Sequence, residues 1–255
     1  MISIIIPVLN EVAVIGPALE TVLQQPGNYE VIVVDGGSCD ATCDIVQNFP
    51  VQLVRKLPTM PAGIGSQLNL GATKAQGDVL LFLHVDVQLP QRAIVMIEAA
   101  LTDNRYVGGG FLTQYDTDTT LLRLSSWRMR LRARVQHIFS GDTAPFVRRE
   151  TFWAIGGYLE LPIMDDYEFA VRLHQAGSLV ALKDRVTISA RRHLSHGILR
   201  SMVETEITKW LYWAGVSPTA LAAFYRGIHC SHPNASPYRI INPPSSKYNS
   251  SDQKL

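Results

Sequence analysis

Four short apolar runs, each followed by a segment with helical spacing, lie within the first 104 residues and constrain the fold most strongly. The runs span residues 2–6, 30–35, 51–56 and 78–85, and most of their residues are apolar. Such continuous runs are typical of parallel strands whose two faces are both covered by helices. The pattern therefore predicts an α/β fold with a mostly parallel central sheet flanked by helices.

Helical segments are predicted between these strands and again in the second half of the chain. Pro90 is expected at the first position of a helix, where its missing N–H costs nothing, and Gly77 just past the end of one. The predicted helices span 40–49, 65–77, 90–103, 120–139, 197–213 and 217–227, and the later strands span 107–116, 144–149, 179–183 and 186–190.

Length and composition predict one large domain. The chain has 255 residues, 47% of them hydrophobic, which is enough to bury a sizeable core. We expect this domain to span residues 1–228, including the C-terminal helices. Residues 229–255 are rich in Pro, Ser and Asn and are expected to form a flexible tail.

The net charge and the cysteine content limit which binding partners and which cellular compartment are expected. The formal net charge is +1, which gives no indication of a nucleic-acid partner. No signal peptide opens the chain and no apolar run reaches the length of a membrane span, so we expect a soluble, cytoplasmic protein. The three cysteines lack the spacing of a zinc site, and reduced thiols are expected.

Polar side chains come at the ends of three of the predicted strands. Asn10 and Glu11 follow the first strand, Asp35 ends the second, and His84 and Asp86 end the fourth. In open parallel sheets, ligands bind beyond the carboxyl ends of the strands. These side chains are therefore expected to share one binding site at one edge of the sheet.

Several of these stretches together resemble family 2 glycosyltransferases, which have the nucleotide-diphospho-sugar transferase (GT-A) fold. In chain order they are ISIIIPVLNE, EVIVVDGGSCDAT, GDVLLFLHVD, VGGGF, GDTAPFVRRETFWAIGGY and LPIMDDYEFAVRLHQAG. The chain is especially similar to a small bacterial subgroup with HxD in place of DxD. The resemblance implies a nucleotide-binding half over 1–104 and an acceptor-side half over 105–228.

The resemblance also implies which residues contact a nucleotide-diphospho-sugar donor. They are Pro7, Leu9, Asn10, Glu11, Asp35, Gly36, Gln67, Asn69, His84, Val85, Asp86, Gly110, Asp142, Arg191 and Arg192. A divalent cation, Mg²⁺ or Mn²⁺, would be held by Asp86, with His84 in the place of the first acid. From the residues alone, Asn10 suits a turn or helix cap equally well, and Asp35 suits an acceptor of loop N–H groups.

An acidic pair in the second half is the implied catalytic group. In the family, the second acid of this pair is the general base of an inverting transfer, which makes Asp166 the base and Asp165 its support. An inverting transferase needs one base within reach of the acceptor hydroxyl and no second carboxylate as nucleophile. Acids in the first turn of a helix also complement its dipole, and both roles can hold.

Two other functions and several partners remain open at this point. Gly36, Ile64 and His84 depart from the usual family pattern. Such departures favour a second function, a protein that binds a sugar nucleotide without catalysing transfer. A sugar nucleotidyltransferase is the third function, but its Gly- and Lys/Arg-rich loop is absent after the first strand. The acceptor is an unidentified hydroxyl of a saccharide, a lipid-linked sugar or a small molecule. The arginines of 120–139 and the aromatic run 210–213 suit a solvated face, a peripheral membrane contact on the cytoplasmic side or a homodimer.

Overall fold

An eight-stranded sheet is the framework of the fold in the computed structural model, which describes residues 1–61 and 63–229. The strands are β1 (Ile2–Val8), β2 (Tyr29–Asp35), β3 (Gln52–Arg55), β4 (Val79–Phe82), β5 (Val87–Gln88), β6 (Tyr106–Tyr115), β7 (Phe146–Arg148) and β8 (Ser178–Ile188). Their order across the sheet is β3-β2-β1-β4-β7-β6-β8-β5. The first four strands pair in parallel, whereas β7 runs antiparallel to both of its neighbours.

Helices cover both faces of this sheet. They are α1 (Ile15–Leu23), α2 (Thr42–Val46), α3 (Ile64–Lys74), α4 (Ala93–Ala100), α5 (Thr120–Val135), α6 (Arg149–Ala154), α7 (Asp165–Ala176), α8 (Arg191–His196), α9 (Ile198–Trp213) and α10 (Pro218–His229), with a 3₁₀ turn at Gly141–Thr143. Ile4 and Ile6 of β1 pack into one core, and Ile5 packs into the core on the opposite face. The predicted α/β fold with strands buried on both faces is confirmed.

Several predicted boundaries were wrong, and three of the differences have a local reason. The third helix ends at Lys74, and Gly77 instead lies close to Ser3, whose hydroxyl accepts its N–H at 2.9 Å. The fourth helix begins at Ala93 rather than Pro90, because the Gln25 side chain accepts the Ala93 N–H. The two short strands predicted at 179–183 and 186–190 are one strand, β8, with an irregular register against β6.

The cysteines follow the prediction of reduced thiols where they are described. Cys39 is exposed in the turn before α2, Cys43 is buried in α2, and both thiols are free. Cys230 and most of the predicted tail lie outside the described residues.

Candidate active site

Two turns at the carboxyl ends of β1 and β2 are joined by hydrogen bonds into one rim. The N–H of Asn10 donates to the hydroxyl of Ser38 at 2.9 Å, and its side-chain oxygen accepts the N–H of Cys39 at 2.8 Å. The next N–H, that of Glu11, donates to Thr42 Oγ1 at 2.8 Å. The turns that carry Asn10 and Glu11 and that follow Asp35 therefore lie together at this edge of the sheet, and Asn10 is exposed there.

Asp35 shapes this rim from its buried position at the end of β2. Its side chain is only 3% exposed, and its carboxylate accepts the N–H groups of Gly37 and Ser38 at 3.1 Å each. Asp35 thus has the loop-shaping role that was its alternative from the sequence, and its nucleotide contact stays a prediction.

Gln67 is a second buried support rather than a ligand contact. Its amide donates to the carbonyl oxygens of Val8 at 3.0 Å and Val34 at 2.8 Å, which holds the ends of β1 and β2 together. A Cβ at Gly36 would lie 3.0 Å from the Gln67 amide. The buried Gln67 amide therefore takes the space that a larger residue at Gly36 would need.

Two more predicted donor contacts are engaged in packing. The Asn69 amide exchanges hydrogen bonds of 2.8 and 2.9 Å with the backbone of Tyr158. A Cβ at Gly110 would lie 2.5 Å from the ring of Phe139, so this glycine is needed for contact with the protein itself. Both residues thus have packing roles, and their sugar-nucleotide contacts stay predictions.

The segment His84-Val85-Asp86 begins two residues after the end of β4 and is half-buried. The N–H of Ser189 donates to the carbonyl oxygen of Asp86 at 2.9 Å, which fixes this segment against the end of β8. His84 lies against the 3₁₀ turn, since a Cβ at Gly141 would be 2.4 Å from His84 Nε2. Any residue larger than glycine at position 141 would displace the imidazole.

The acidic pair opens α7 and faces the same 3₁₀ turn. Asp166 Oδ2 accepts the N–H of Gly141 at 3.2 Å, and Oδ1 accepts the N–H of the next residue at 2.7 Å. Asp165 Oδ2 accepts the N–H of Gly65 at 2.8 Å. Each carboxylate is thus held by backbone groups, and Gly141 joins Asp166 to His84.

Asp142, in the middle of the 3₁₀ turn, connects the two sets of acids electrostatically. Asp142 is exposed, but the many protein atoms around it raise the pKa of its carboxyl by desolvation, and the charges of Asp86 and Asp166 raise it further. His84 and Arg192 act in the opposite direction. The carboxylates of Asp86, Asp142, Asp165 and Asp166 therefore form one negatively charged cluster around a single imidazole.

The charge of Asp165 is disfavoured in the folded protein. Burial, and then the neighbouring Asp166, raise the pKa of Asp165 to about 6, although the Gly65 N–H stabilises its anion. The Asp165 pKa is near 4 in the unfolded chain and about 6 in the folded protein. The free energy of unfolding therefore falls as pH rises from about 4 through about 6, because the folded protein must then carry the buried charge.

We therefore expect Asp165→Asn to stabilise the ligand-free protein above pH 6 and not at pH 4. The neutral amide removes the buried charge and can still accept the Gly65 N–H, so the gain should be about 2 kcal/mol at pH 7.5. Thermal denaturation at pH 7.5 and pH 4 measures it. An equal gain at both values would show that charge is not the cause.

The two arginines predicted on a loop lie in the short helix α8 and have different surroundings. Arg191 Nη2 donates to Glu11 Oε2 at 2.8 Å, an ion pair that connects α8 to the rim at the end of β1. Arg192 acts electrostatically on Asp142, Tyr115 and His193. Arg191 thus closes the side of the cleft, and Arg192 is the cation nearer the acids.

A chain of hydrogen-bonded polar side chains beside Arg192 was not predicted from the sequence. The hydroxyl of Tyr115 lies 3.0 Å from His193 Nε2, and His193 Nδ1 lies 2.5 Å from Ser201 Oγ. Burial lowers the pKa of His193, and the Asp142 charge opposes this. Residues so distant along the chain, on a strand and two helices, show no spacing that would have linked them.

The acids of the cleft fit a cation that arrives with a phosphorylated ligand. In the described ranges no group of three or more His, Cys, Asp and Glu side chains is arranged to hold an ion alone. Mg²⁺ is commonly bound by one or two carboxylates together with substrate phosphates and water. Asp86, beside His84 and Asp142, offers such a carboxylate in a cluster with surplus negative charge.

Comparison with known proteins gives matches over most of the chain. The family model described as Glycosyl transferase family 2 matches residues 3–155, more than half of the chain. A PGL/p-HBAD biosynthesis glycosyltransferase of Mycobacterium bovis (strain BCG / Pasteur 1173P2) is 28% identical over 225 residues, which cover 83% of this chain and 84% of the relative. A dolichol-phosphate mannosyltransferase of Pyrococcus furiosus is 32% identical over 123 residues, covering 43% of this chain and 34% of the relative.

Solved structures share the fold at low identity. Mannosyltransferase PcManGT from Pyrobaculum calidifontis, in complex with GDP-Man and Mn²⁺, matches with a TM-score of 0.65 and 19% identity, over 90% of this chain and 70% of that chain. Residues 1–349 of S. aureus TarS, in complex with UDP-GlcNAc, match with a TM-score of 0.57 and 20% identity, over 74% of this chain. The match spans only 58% of that TarS chain.

Proposed function

The chain belongs to glycosyl transferase family 2, and from this premise we propose that it transfers a sugar from a nucleotide-diphospho-sugar to an acceptor hydroxyl with inversion at the anomeric carbon. The predicted family and the GT-A fold are confirmed. The subgroup with His84 in the first acidic position stays a prediction. The observation that supports the function best is that Asp86, beyond β4, and Asp166, at the start of α7, both act electrostatically on Asp142 in the Gly141–Thr143 turn, which also holds Asp166 through the Gly141 N–H.

In the proposed reaction Asp166 is the general base. The acceptor oxygen attacks the anomeric carbon as its proton passes to the Asp166 carboxylate. The bond between the anomeric carbon and the diphosphate oxygen breaks, and its electron pair leaves with the nucleoside diphosphate. The N–H groups that hold Asp166 orient it for this transfer without neutralising it. Asp165 acts as its support.

The donor is proposed to lie across the rim and the neighbouring cleft, which His84, Asp86, Asp142 and Asp166 border. Residues 1–104 are then the donor half of one domain that spans 1–228. Pro7, Leu9, Asn10, Glu11 and Gly36 border the nucleoside, and His84, Val85, Asp86, Asp142 and Arg192 border the diphosphate and sugar. Bound at Asp86 beside His84, Mg²⁺ or Mn²⁺ would neutralise charge on the departing diphosphate. Arg192 would stabilise the same charge from α8.

Known relatives support this donor class and leave the acceptor open. The two solved glycosyltransferases hold UDP-GlcNAc and GDP-Man, the latter with Mn²⁺. One relative is named for dolichol phosphate and another for undecaprenyl phosphate, both lipid-linked phosphates. We propose a nucleoside-diphosphate sugar as donor and a hydroxyl-bearing acceptor.

A panel of sugar nucleotides tests the proposal. Isothermal titration with UDP- and GDP-linked sugars, each with Mn²⁺ and with chelator, should identify one donor whose binding strengthens with the cation. Proton NMR of the transferred sugar should then show the anomeric configuration opposite to that of the donor. If donor binding has the same affinity with Mn²⁺ and with chelator, and neither transfer nor hydrolysis follows, the result would instead support a binding protein without catalysis.

A further inference from the structure

Helix α9 turns its polar side inward and its apolar side outward. Its buried residues are Ser201, Glu204 and Thr208. Its exposed large residues, spaced three or four apart and therefore on one face, are Leu199 (62% exposed), Val203, Ile207, Trp210 (74%) and Trp213 (68%). An ordinary surface helix shows the opposite arrangement, with apolar residues toward the core and polar residues toward water.

The neighbouring helix α5 exposes a second apolar stripe. Leu121, Leu124, Trp127, Leu131 and Val135 follow helical spacing and are all exposed, whereas its buried residues are Leu122, Ser126 and Ala133. Arg128 of α5 and Glu206 of α9 form an ion pair at 3.1 Å, so the two helices lie side by side. We call the ten exposed apolar residues of these two helices the α5–α9 face.

Positive charge accompanies this face. Residues 120–135 contain five arginines and no acid, although the whole chain has a net charge of only +1. Arg123, Arg128 and Arg134 are exposed on α5 beside the apolar stripe. An open groove of about 730 Å³ lies at the start of both helices, lined by Leu121, Ile198, Leu199 and Val203. Exposed tryptophans with arginines on their flanks are typical of helices that lie in a membrane interface.

We propose that the α5–α9 face docks on an anionic lipid bilayer, with its apolar stripes in the headgroup region and its arginines on lipid phosphates. Within the described ranges no helix is both long and apolar enough to span a membrane, and this docking needs none. A second copy fits the face less well, because a two-fold contact would bring the arginine-rich α5 helices of both copies together.

The face also adjoins the acceptor end of the cleft. Tyr167, the residue after Asp166, has its ring 6.1 Å from that of Trp213 and 6.5 Å from that of Tyr212. Docking would therefore place the proposed base near the bilayer surface. If the proposed function holds, on which this step rests, the acceptor hydroxyl belongs to a lipid-anchored molecule.

Sedimentation with phospholipid vesicles, without donor or cation, tests the docking. The full chain should pellet with vesicles containing one third phosphatidylglycerol and much less with phosphatidylcholine alone. Leu199→Ser should weaken this binding by about tenfold, since a leucine side chain leaves the lipid. Leu57→Ser is the matched control, because Leu57 is 63% exposed but lies outside the face, and it should bind as the wild type does.

Charge and self-association provide the remaining comparisons. Arg134→Gln should weaken binding to the anionic vesicles by about fivefold, the effect of one basic residue near such a surface. Absence of pelleting, or equal pelleting of the Leu199 variant and the wild type, would overturn the docking proposal. So would a dimer in light scattering that Leu199→Ser dissociates, because a second copy would then cover the face. Release of nucleoside diphosphate from the donor, measured without lipid, tests Asp166 separately, so the two proposals can fail independently.

Discussion

Asp166→Asn is expected to lower the transfer rate by about a thousandfold or more and to leave the fold and donor affinity unchanged. The amide cannot take the proton of the acceptor hydroxyl, and loss of a positioned general base typically costs 10²–10⁴ in rate. The shape of the side chain is retained, and its remaining oxygen can still accept the Gly141 N–H. Initial rates at saturating donor measure the effect.

Asp44→Asn is the matched control for this substitution. Asp44 is, like Asp166, an acid in the first turn of a helix, so both changes remove the same interaction with a helix dipole. The control variant should transfer sugar at the wild-type rate. If the Asp166 variant did so as well, the acid would serve only to stabilise α7.

Asp86→Asn is expected to remove the cation's contribution to donor binding. Because the described residues offer no complete ligand set, the ion depends on this carboxylate and on the donor's own phosphates. Donor affinity with Mn²⁺ should fall by about a hundredfold, whereas affinity measured with chelator should change little. Isothermal titration in both buffers separates these effects.

The same strand provides a control for Asp86. Asp78 precedes the start of β4, at the opposite end from Asp86, and its side chain is 82% exposed. Asp78→Asn should leave both affinities at their wild-type values. A loss that is equal with Mn²⁺ and with chelator in the Asp86 variant would indicate a direct contact with the sugar instead of a cation site.

Local pattern was sufficient to predict the sheet and the position of the acids at the strand ends. The apolar runs around Ile4 and Leu81 show that both faces of their strands are covered, and strand ends at the same level follow from parallel pairing. Asp86 was therefore predictable as a residue of the sheet edge. The acidic pair was identified only through the family resemblance.

Contacts between distant segments were not predictable in the same way. The fit of His84 under Gly141 and the ion pair of Arg191 with Glu11 depend on how loops fold over the sheet, which no periodicity encodes. Asn10 and Met164 adopt positive φ angles of 54° and 68° beside the site, which their residue types did not indicate. The resemblance implied a donor contact for Gln67, and its burial beneath Gly36 could not be predicted because it depends on packing.

The proposed transfer of sugar from a nucleotide-diphospho-sugar depends on Asp166 as the base and on Asp86 on the donor side. The most direct test is the rate of nucleoside diphosphate release from the selected donor, measured side by side for the wild type, Asp166→Asn and Asp86→Asn. We expect cation-dependent release by the wild type and at least a hundredfold slower release by both variants, with all three proteins folded. Release by either variant at the wild-type rate would contradict the assignment.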